Sequence, residues 1–449
     1  MKKRKKIILG SITGALALAL AGGGFWAYKT FVPQETPIDK NATVASNFYQ
    51  AVNKDWLLKT KIPADSPSID NFYTLDEDIK GKLKKDIKNL GEGKETSDIT
   101  GMSEFITFYK AASDYKQREK DGLEPLKPYL KEIEDIKDLN DLASKSASLT
   151  DKGIPLPFGY DVGTNAENTS QKQIQLSPPS ILLPDVSIYK DEASKKQYLT
   201  PIETATQKAL EMLGYSEKNS KRIVKEALEF DEIIAKYSLS NEEMSESKNL
   251  VHPKTAEEIN AYSGSFKLYD VIKGIMGRDL ETINVPNTKY FENYSKIVNQ
   301  DNFSKIKSWI LVQEAMAASN SLTEDYRLNF QSISMAIMGT QKPVSKEDTV
   351  YEMSVHLFSD VMSVYYGRKY FGEEAKTDVT GMIDKIKNVY RGRLQQNDWL
   401  TEDTRNKAIE KLDKMKVFVG YQEDVDPGTK ELHLDSNKSF FELSEDIAQ

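Results

Sequence analysis

The sequence predicts a mainly α-helical, multi-helix lobe with one small β-hairpin, preceded by a single N-terminal transmembrane helix. Three observations predict it. Apolar residues recur at three- and four-residue spacing through most of the 449 residues. One stretch, Gly153 to Tyr189, alternates instead. An uncharged run from Ile7 to Tyr28 follows the basic cluster Lys2, Lys3, Arg4, Lys5 and Lys6.

Twenty-two helical residues reach about 33 Å, enough for a hydrocarbon core of about 30 Å. The basic cluster, residues 1–6, is retained in the cytoplasm and sends the body outside. Residues 7–28 thus read as a signal-anchor in the cell membrane, with Trp26 and Tyr28 at the interface. The competing reading is a signal peptide cleaved near Ala19-Leu20-Ala21 and a secreted product. The run is longer than a usual signal core, which favours the anchor. Residues 29–44 contain Pro33 and Pro37 without periodicity and read as a linker.

In Asn47 to Pro63, Phe48, Val52 and Trp56 are four apart and share one helix face, with Ser46 as cap and Pro63 as stop. A face with that much aromatic surface is expected to pack in the core. From Leu75 to Ile136 the pattern is helical, with Phe105, Phe108, Tyr109, Ala112 and Tyr115 as a stripe and Gly91 and Gly93 as breakers. Phe158, Tyr160 and Val162, then Ile174 and Leu176, alternate around a polar turn and predict the hairpin. Helix resumes at Pro201. After Gly214, Ser216 caps a helix whose inner face is Ile223, Ala227, Phe230, Ile234 and Tyr237. Further helices are expected over 304–318, 324–336, 346–371 and 380–396. Thr401 caps another, with Ala408, Leu412 and Met415 inward, leading into a strand over Val417 to Val419.

Composition narrows the chemistry. Hydrophobic content of 39% with 29% charged residues is that of an ordinary globular protein, and a net charge of −8 gives no nucleic-acid footprint. Without cysteine there is no disulfide, thiolate metal site or thiol nucleophile. Three histidines, His252, His356 and His433, are present and no two are four apart.

Four phrases, in order, resemble the neprilysin-like zinc metallopeptidases. The first is F-Y-x-x-V-N-x-x-W-L from Phe48, followed by I-P-A-D and Phe72, with Lys54 where the family commonly has glycine. The second is Leu183-Pro184-Asp185 with Tyr189 after the hairpin. The third is Gly367-Arg368-Lys369-Tyr370-Phe371. The fourth runs from Trp399-Leu400-Thr401 through Ala408, Lys411, Leu412, Met415 and Val417 to Gly420-Tyr421. The resemblance implies that residues 45–421 form the family's N-terminal helical domain and that 422–449 begin its C-terminal, catalytic part.

It also implies a zinc-dependent activity on short extracellular peptides, but not the residues that perform it. The family holds zinc with two histidines of an H-E-x-x-H helix, whose i, i+4 spacing puts both imidazoles on one face, and a later glutamate. No H-E-x-x-H occurs before Gln449. Asn260-Ala261-Tyr262 echoes a family phrase but lies far too early, and Glu445-Asp446-Ile447-Ala448 faintly echoes another with no H-E-x-x-H before it. No catalytic or metal residue is therefore assigned, substrate-binding residues are unassigned, and no cofactor is expected in this chain. The readings that remain are the N-terminal part of a membrane-anchored peptidase, inactive alone and partnered by a separate catalytic chain; a non-catalytic surface protein binding peptides or a partner; and an anchored helical scaffold.

Overall fold

The computed structural model describes residues 38–166 and 168–448. The expected membrane helix over 7–28 lies outside the described residues. Among the described residues no helix is long and apolar enough to cross a membrane. The chain divides into two compact units. The first comprises the residues up to Asp78, Tyr115–Lys346 and those from Ser439; the second comprises Ile79–Asp114 and Glu347–Lys438.

The helices and strands used below, in chain order, are α1 (Phe48–Lys59), α2 (Asn71–Gly91), α3 (Met102–Ser113), α4 (Lys127–Glu134), α5 (Leu139–Thr150), β1 (Gly159–Thr164), β2 (Lys172–Ser177), α6 (Glu192–Met212), α7 (Glu217–Tyr237), β3 (Pro253–Lys254), α8 (Leu268–Met276) and β4 (Ile283–Asn284). They continue with α9 (Phe303–Ala317), α10 (Glu324–Met338), α11 (Lys346–Leu357), α12 (Ser359–Tyr366), α13 (Gly372–Gln395), α14 (Glu402–Lys414) and α15 (Phe440–Ala448). The mainly helical expectation holds.

The core of the first unit is built around α9, where Trp309, Ile310 and Ala315 are buried. Trp309 meets Phe230 of α7 edge-on, ring centroids 5.9 Å apart. The predicted stripe of α7 is the face used: Ile223, Ala227, Phe230 and Ile234 are buried, and Tyr237 is half-buried. Ser216 accepts from the Asn219 N–H and caps this helix as expected.

The predicted hairpin is β1 paired antiparallel with β2, from Gly159 opposite Ser177 to Thr164 opposite Lys172. Ile174 and Leu176 point into the core. The hairpin belongs to a four-stranded mixed sheet of order β1-β2-β4-β3, with β2 and β4 parallel. Strands β3 and β4 have two residues each, too few for an alternation to be read in the sequence. Helix α6 starts at Glu192, capped by Asp191, and takes Pro201 into its interior; the sequence reading began the helix at that proline.

The second family-like phrase is explained by one buried carboxylate. Asp231 of α7 is fully buried. It accepts hydrogen bonds from the Leu182 N–H at 3.0 Å, from Trp309 Nε1 at 2.9 Å and from the Tyr189 hydroxyl. Asp185 caps the turn Val186–Lys190 that carries Tyr189. The Leu-Pro-Asp…Tyr wording thus ties the chain leaving the hairpin to the α7–α9 core.

Helix α1 departs from expectation. Phe48 and Val52 are 65% and 61% exposed, Trp56 is only half-buried, and no residue of the helix is buried. Periodicity states which residues share a face; it does not state what covers that face. The cap is Asn47, whose side chain accepts from Gln50 N–H, while Ser46 is taken up by Thr43.

In the second unit Phe105, Phe108 and Ala112 of α3 are buried as predicted. Tyr109 is half-buried, and the helix stops at Ser113, so Tyr115 does not extend the stripe. The single helix expected over 346–371 is interrupted at Phe358. Its ring lies 5.6 Å from Phe105 and 5.7 Å from Phe108. It is interrupted again at one turn of π-helix, Gly367–Phe371. Thr401 caps α14 and Leu412 is buried, but Ala408 is only half-buried and Met415 is 52% exposed. No strand forms over Val417 to Val419. Residues 416–418 make no backbone hydrogen bond among the described residues.

Candidate functional site

Helix α13 is 24 residues long and buries none of them. Met382, Ile386, Val389 and Tyr390 are 50–62% exposed. Their spacing of four, three and one places them on one face. Single exposed apolar residues are ordinary, whereas a row of four large ones on one helix marks an interaction surface.

The segment after α14 extends this surface. Lys387 donates to the Met415 carbonyl at 3.3 Å, and the Tyr421 hydroxyl donates to Glu373 at 2.6 Å. Residues 415–421 therefore run back along α13. Met415, Val417 and Phe418 on this run are exposed, Phe418 at 89%. Helix α14 is held to α13 by a bidentate Arg391–Asp413 pair. Arg405 adds hydrogen bonds to the carbonyls of Gln395 and Asn397. The unsatisfied backbone of 416–418 offers donors and acceptors to an incoming strand.

The third and fourth family-like phrases interlock at the start of α13. A Cβ on Gly367 would lie 2.0 Å from the Tyr421 ring, and one on Gly420 would lie 2.5 Å from the Phe371 ring. Gly420 also has φ of +73°, which favours glycine. Phe371 and Tyr421 meet edge-on with centroids 6.4 Å apart. Lys376 stands 4.6 Å over the Tyr421 ring. Arg368 donates to the Glu423 carbonyl at 2.9 Å.

Lys369 pairs with buried Asp86 and with Glu95, both at 2.9 Å, and Tyr370 donates to Asp86 at 2.7 Å. Burial pulls the Lys369 ammonium down, but Tyr365, Glu95 and Asp86 together hold it well above the ordinary lysine range. Each of the five residues Gly367–Phe371 is accounted for by its role in holding the turn in place.

No zinc donor set is assembled by the histidines. His252 sits before β3 with its backbone bonded to the Asn284 side chain. His356 is an exposed residue of α11. Asp360, four residues on, uses its carboxylate on Thr429 and on the Asp426 N–H. His433 is 86% exposed and 3.9 Å from Glu104. Among the described residues no group of three or more His, Cys, Asp or Glu side chains is placed to hold a metal ion. Of the two echo phrases, Asn260 bonds Asp270 and the Tyr269 N–H, a local structural role. Glu445 lies on α15, in the first unit.

The exposed face and the buried acids Asp231 and Glu314 were not singled out from the sequence. Asp231 stands four residues after Ala227, on the inward face of α7, and Glu314 interrupts the apolar run of α9. An acid at an inward position was the available signal.

Comparison with known proteins places this geometry in a family. The profile of the N-terminal region of peptidase family M13 matches residues 44–422. The neutral endopeptidase of Lactobacillus helveticus is 32% identical over 411 residues, which are 91% of this chain and 63% of that protein. That of Lactococcus lactis subsp. lactis is 30% identical, over 84% of this chain and 60% of the relative. The chain therefore spans less than two thirds of the length of these relatives. Among solved structures, PEPO from Lactobacillus rhamnosis superposes with a TM-score of 0.84 at 24% identity, over 91% of this chain and 64% of that one. The zinc metalloprotease ZMP1 of Mycobacterium tuberculosis, in complex with an inhibitor, gives 0.76 at 18% identity, over 92% and 64%. These two superpositions concern the fold alone. With the profile covering most of its length, the chain belongs to peptidase family M13.

Proposed function

We propose that the chain is the helical, non-zinc-binding portion of an M13-type endopeptidase, and that its exposed α13 face receives a polypeptide carrying the H-E-x-x-H zinc site. The observation that carries this reading is the apolar row Met382, Ile386, Val389 and Tyr390 beside the unpaired segment 416–418. Over a third of the length of the curated relatives lies outside their match to this chain. The occupant proposed here is the counterpart of that remainder. The assembled protein would act on short peptides; with no zinc ligand set among its described residues, the chain alone is expected to cleave none.

Co-expression tests this. The full chain is expressed with the tagged remainder of the Lactobacillus helveticus neutral endopeptidase. Co-purification, bound zinc and chelator-sensitive cleavage of a short peptide are expected. The complex should melt higher than the chain alone, by about 2.7 kcal/mol of added stability at a hundredfold excess over Kd. Ile386→Glu with Phe418→Glu should abolish co-purification while helical circular dichroism is unchanged. Co-purification that survives the double substitution removes the face from the proposal. Capture of peptides by the chain alone, with no response to the remainder, supports the peptide-binding surface protein instead.

The chain is further proposed to be anchored by residues 7–28 with its body outside the cell, on the Lys2–Lys6 cluster and the uncharged run after it. Protease shaving of intact cells should remove the body and leave a small membrane stub. A protected body contradicts this topology, and mature protein beginning near Gly22 identifies a cleaved signal.

A further inference from the structure

The sheet of the first unit ends on one side in β3 and on the other in β1. The two edges are unlike. Strand β3 has two residues and begins with Pro253, which has no N–H to offer, so that edge is blunt. Strand β1 has six residues, Gly-Tyr-Asp-Val-Gly-Thr, with no proline and no lysine. An edge of that length and composition is a template for another strand. No strand pairs with its outer side among the described residues.

The register shows which backbone groups of β1 face outward. Just past the strand, Asn165 N–H donates to the Gln171 carbonyl at 3.0 Å, so these two residues form a hydrogen-bonded pair of the ladder. Such pairs alternate between antiparallel strands. Gly163 with Gln173, Asp161 with Gln175 and Gly159 with Ser177 therefore bond inward, and Tyr160, Val162 and Thr164 turn their N–H and C=O groups outward. The Val162 N–H bears this out, because its acceptor is not on β2. It donates to Oδ1 of the preceding residue, Asp161, at 2.7 Å. The Val162 side chain stands opposite buried Ile174, on the core-facing side of the sheet, yet on this outermost strand it is 53% exposed.

We propose that Asp161 is an edge guard, which keeps β1 from pairing with β1 of a second copy of this chain. The strand is self-complementary. In an antiparallel pair centred on Val162, the outward groups of Val162 meet those of Val162 in the copy, and Tyr160 meets Thr164 in both halves. That pairing would cover the exposed Val162 with a β-branched neighbour and join two sheets into one. It needs the Val162 N–H at its centre. The Asp161 carboxylate already holds that N–H in a charge-assisted bond, the stronger kind. An incoming strand must break the bond and desolvate the carboxylate it strands at the new seam.

Substitutions in the full chain in detergent test this, read by hydrogen exchange and by light scattering of the protein component. In the parent, exchange of the β1 amides should not depend on protein concentration. Asp161→Val keeps a strand-favouring side chain and removes the acceptor. It should dimerise, with protection of the Tyr160, Val162 and Thr164 amides rising by about tenfold or more as protein concentration is raised. Adding Val162→Pro, which deletes the central N–H on the outer side of an edge strand, should reverse this. Asp161→Asn keeps a side-chain acceptor without the charge and should behave as the parent. Thr164→Val adds a comparable apolar side chain, leaves the guard in place and should also behave as the parent. A parent already paired through β1, an Asp161→Val chain with unprotected β1 amides, or association that persists with Val162→Pro overturns the proposal. So does an Asp161→Asn or Thr164→Val chain that dimerises as readily as Asp161→Val.

Discussion

Gly367→Ala is expected to destabilise the second unit by about 3 kcal/mol, toward the upper end of what forced overpacking costs. The new methyl would meet the Tyr421 ring at 2.0 Å, and the ring is held by its hydroxyl bond to Glu373 and by Lys376 above it. Gly420→Ala meets the same lock from the other side, and its φ of +73° adds about 1–2 kcal/mol of left-handed strain. Urea unfolding of the full chain, with hydrogen exchange to localise the loss to α13 and α14, measures both. A midpoint unchanged by either substitution would show that the turn and the Gly-Tyr segment separate freely, contrary to their contact. Gly381→Ala is the control. A Cβ there meets nothing within 4 Å, and in mid-helix it should stabilise slightly.

The second large effect is expected at Asp231. Asp231→Ala leaves the Tyr189 hydroxyl, the Trp309 indole N–H and the Leu182 N–H without an acceptor. At about 1–3 kcal/mol for each stranded donor, the loss should reach about 4 kcal/mol. Tyr189→Phe removes one donor together with its need and should cost much less. Asp231 also carries a pH signature. Burial pushes its carboxyl up to about 6, even though Tyr189, Trp309 and Leu182 all favour the charged form. The folded value is above the unfolded one, so stability falls as pH rises from about 4 to 6 and then levels off. Asp231→Asn should lose that slope. A slope that survives in the asparagine variant would assign it to another group, and an alanine variant as stable as the parent would refute the three-donor account.

The inner faces of α3 and α7, the hairpin and the cap of α14 were legible because each is local: periodicity, alternation and a capping threonine act within one or two turns. The failures share a different cause. Phe48, Val52 and Met415 carry the spacing and size of core residues, yet the structure leaves them exposed. A sequence pattern reports amphipathicity and is silent about the second surface. Strands β3 and β4 were invisible because two residues make no pattern, and the break at Phe358 because a ring wedged between Phe105 and Phe108 is a tertiary event. The phrases that resembled a family proved to have mechanical content: a carboxylate knot at Asp231, and a pair of glycines making room for each other's aromatic neighbours. The α13 face was missed because the helix over 380–396 was expected from its spacing with no face of it assigned to the core or to solvent.

The interleaving of the two units has a consequence for the order of events during synthesis. The first unit takes residues from three stretches of chain, and its last piece, α15, emerges only after the roughly ninety residues from Glu347 to Lys438 have been made. At typical elongation rates that interval lasts about 5–20 s, long compared with the folding of most small domains. Throughout it, the site that receives Phe440, Phe441 and Leu443 stands open on an otherwise complete body. The nascent chain therefore passes through an obligatory half-closed state. Slow codons or chaperone depletion within 347–438 should lower the yield of soluble protein more than the same perturbation placed after Ser439.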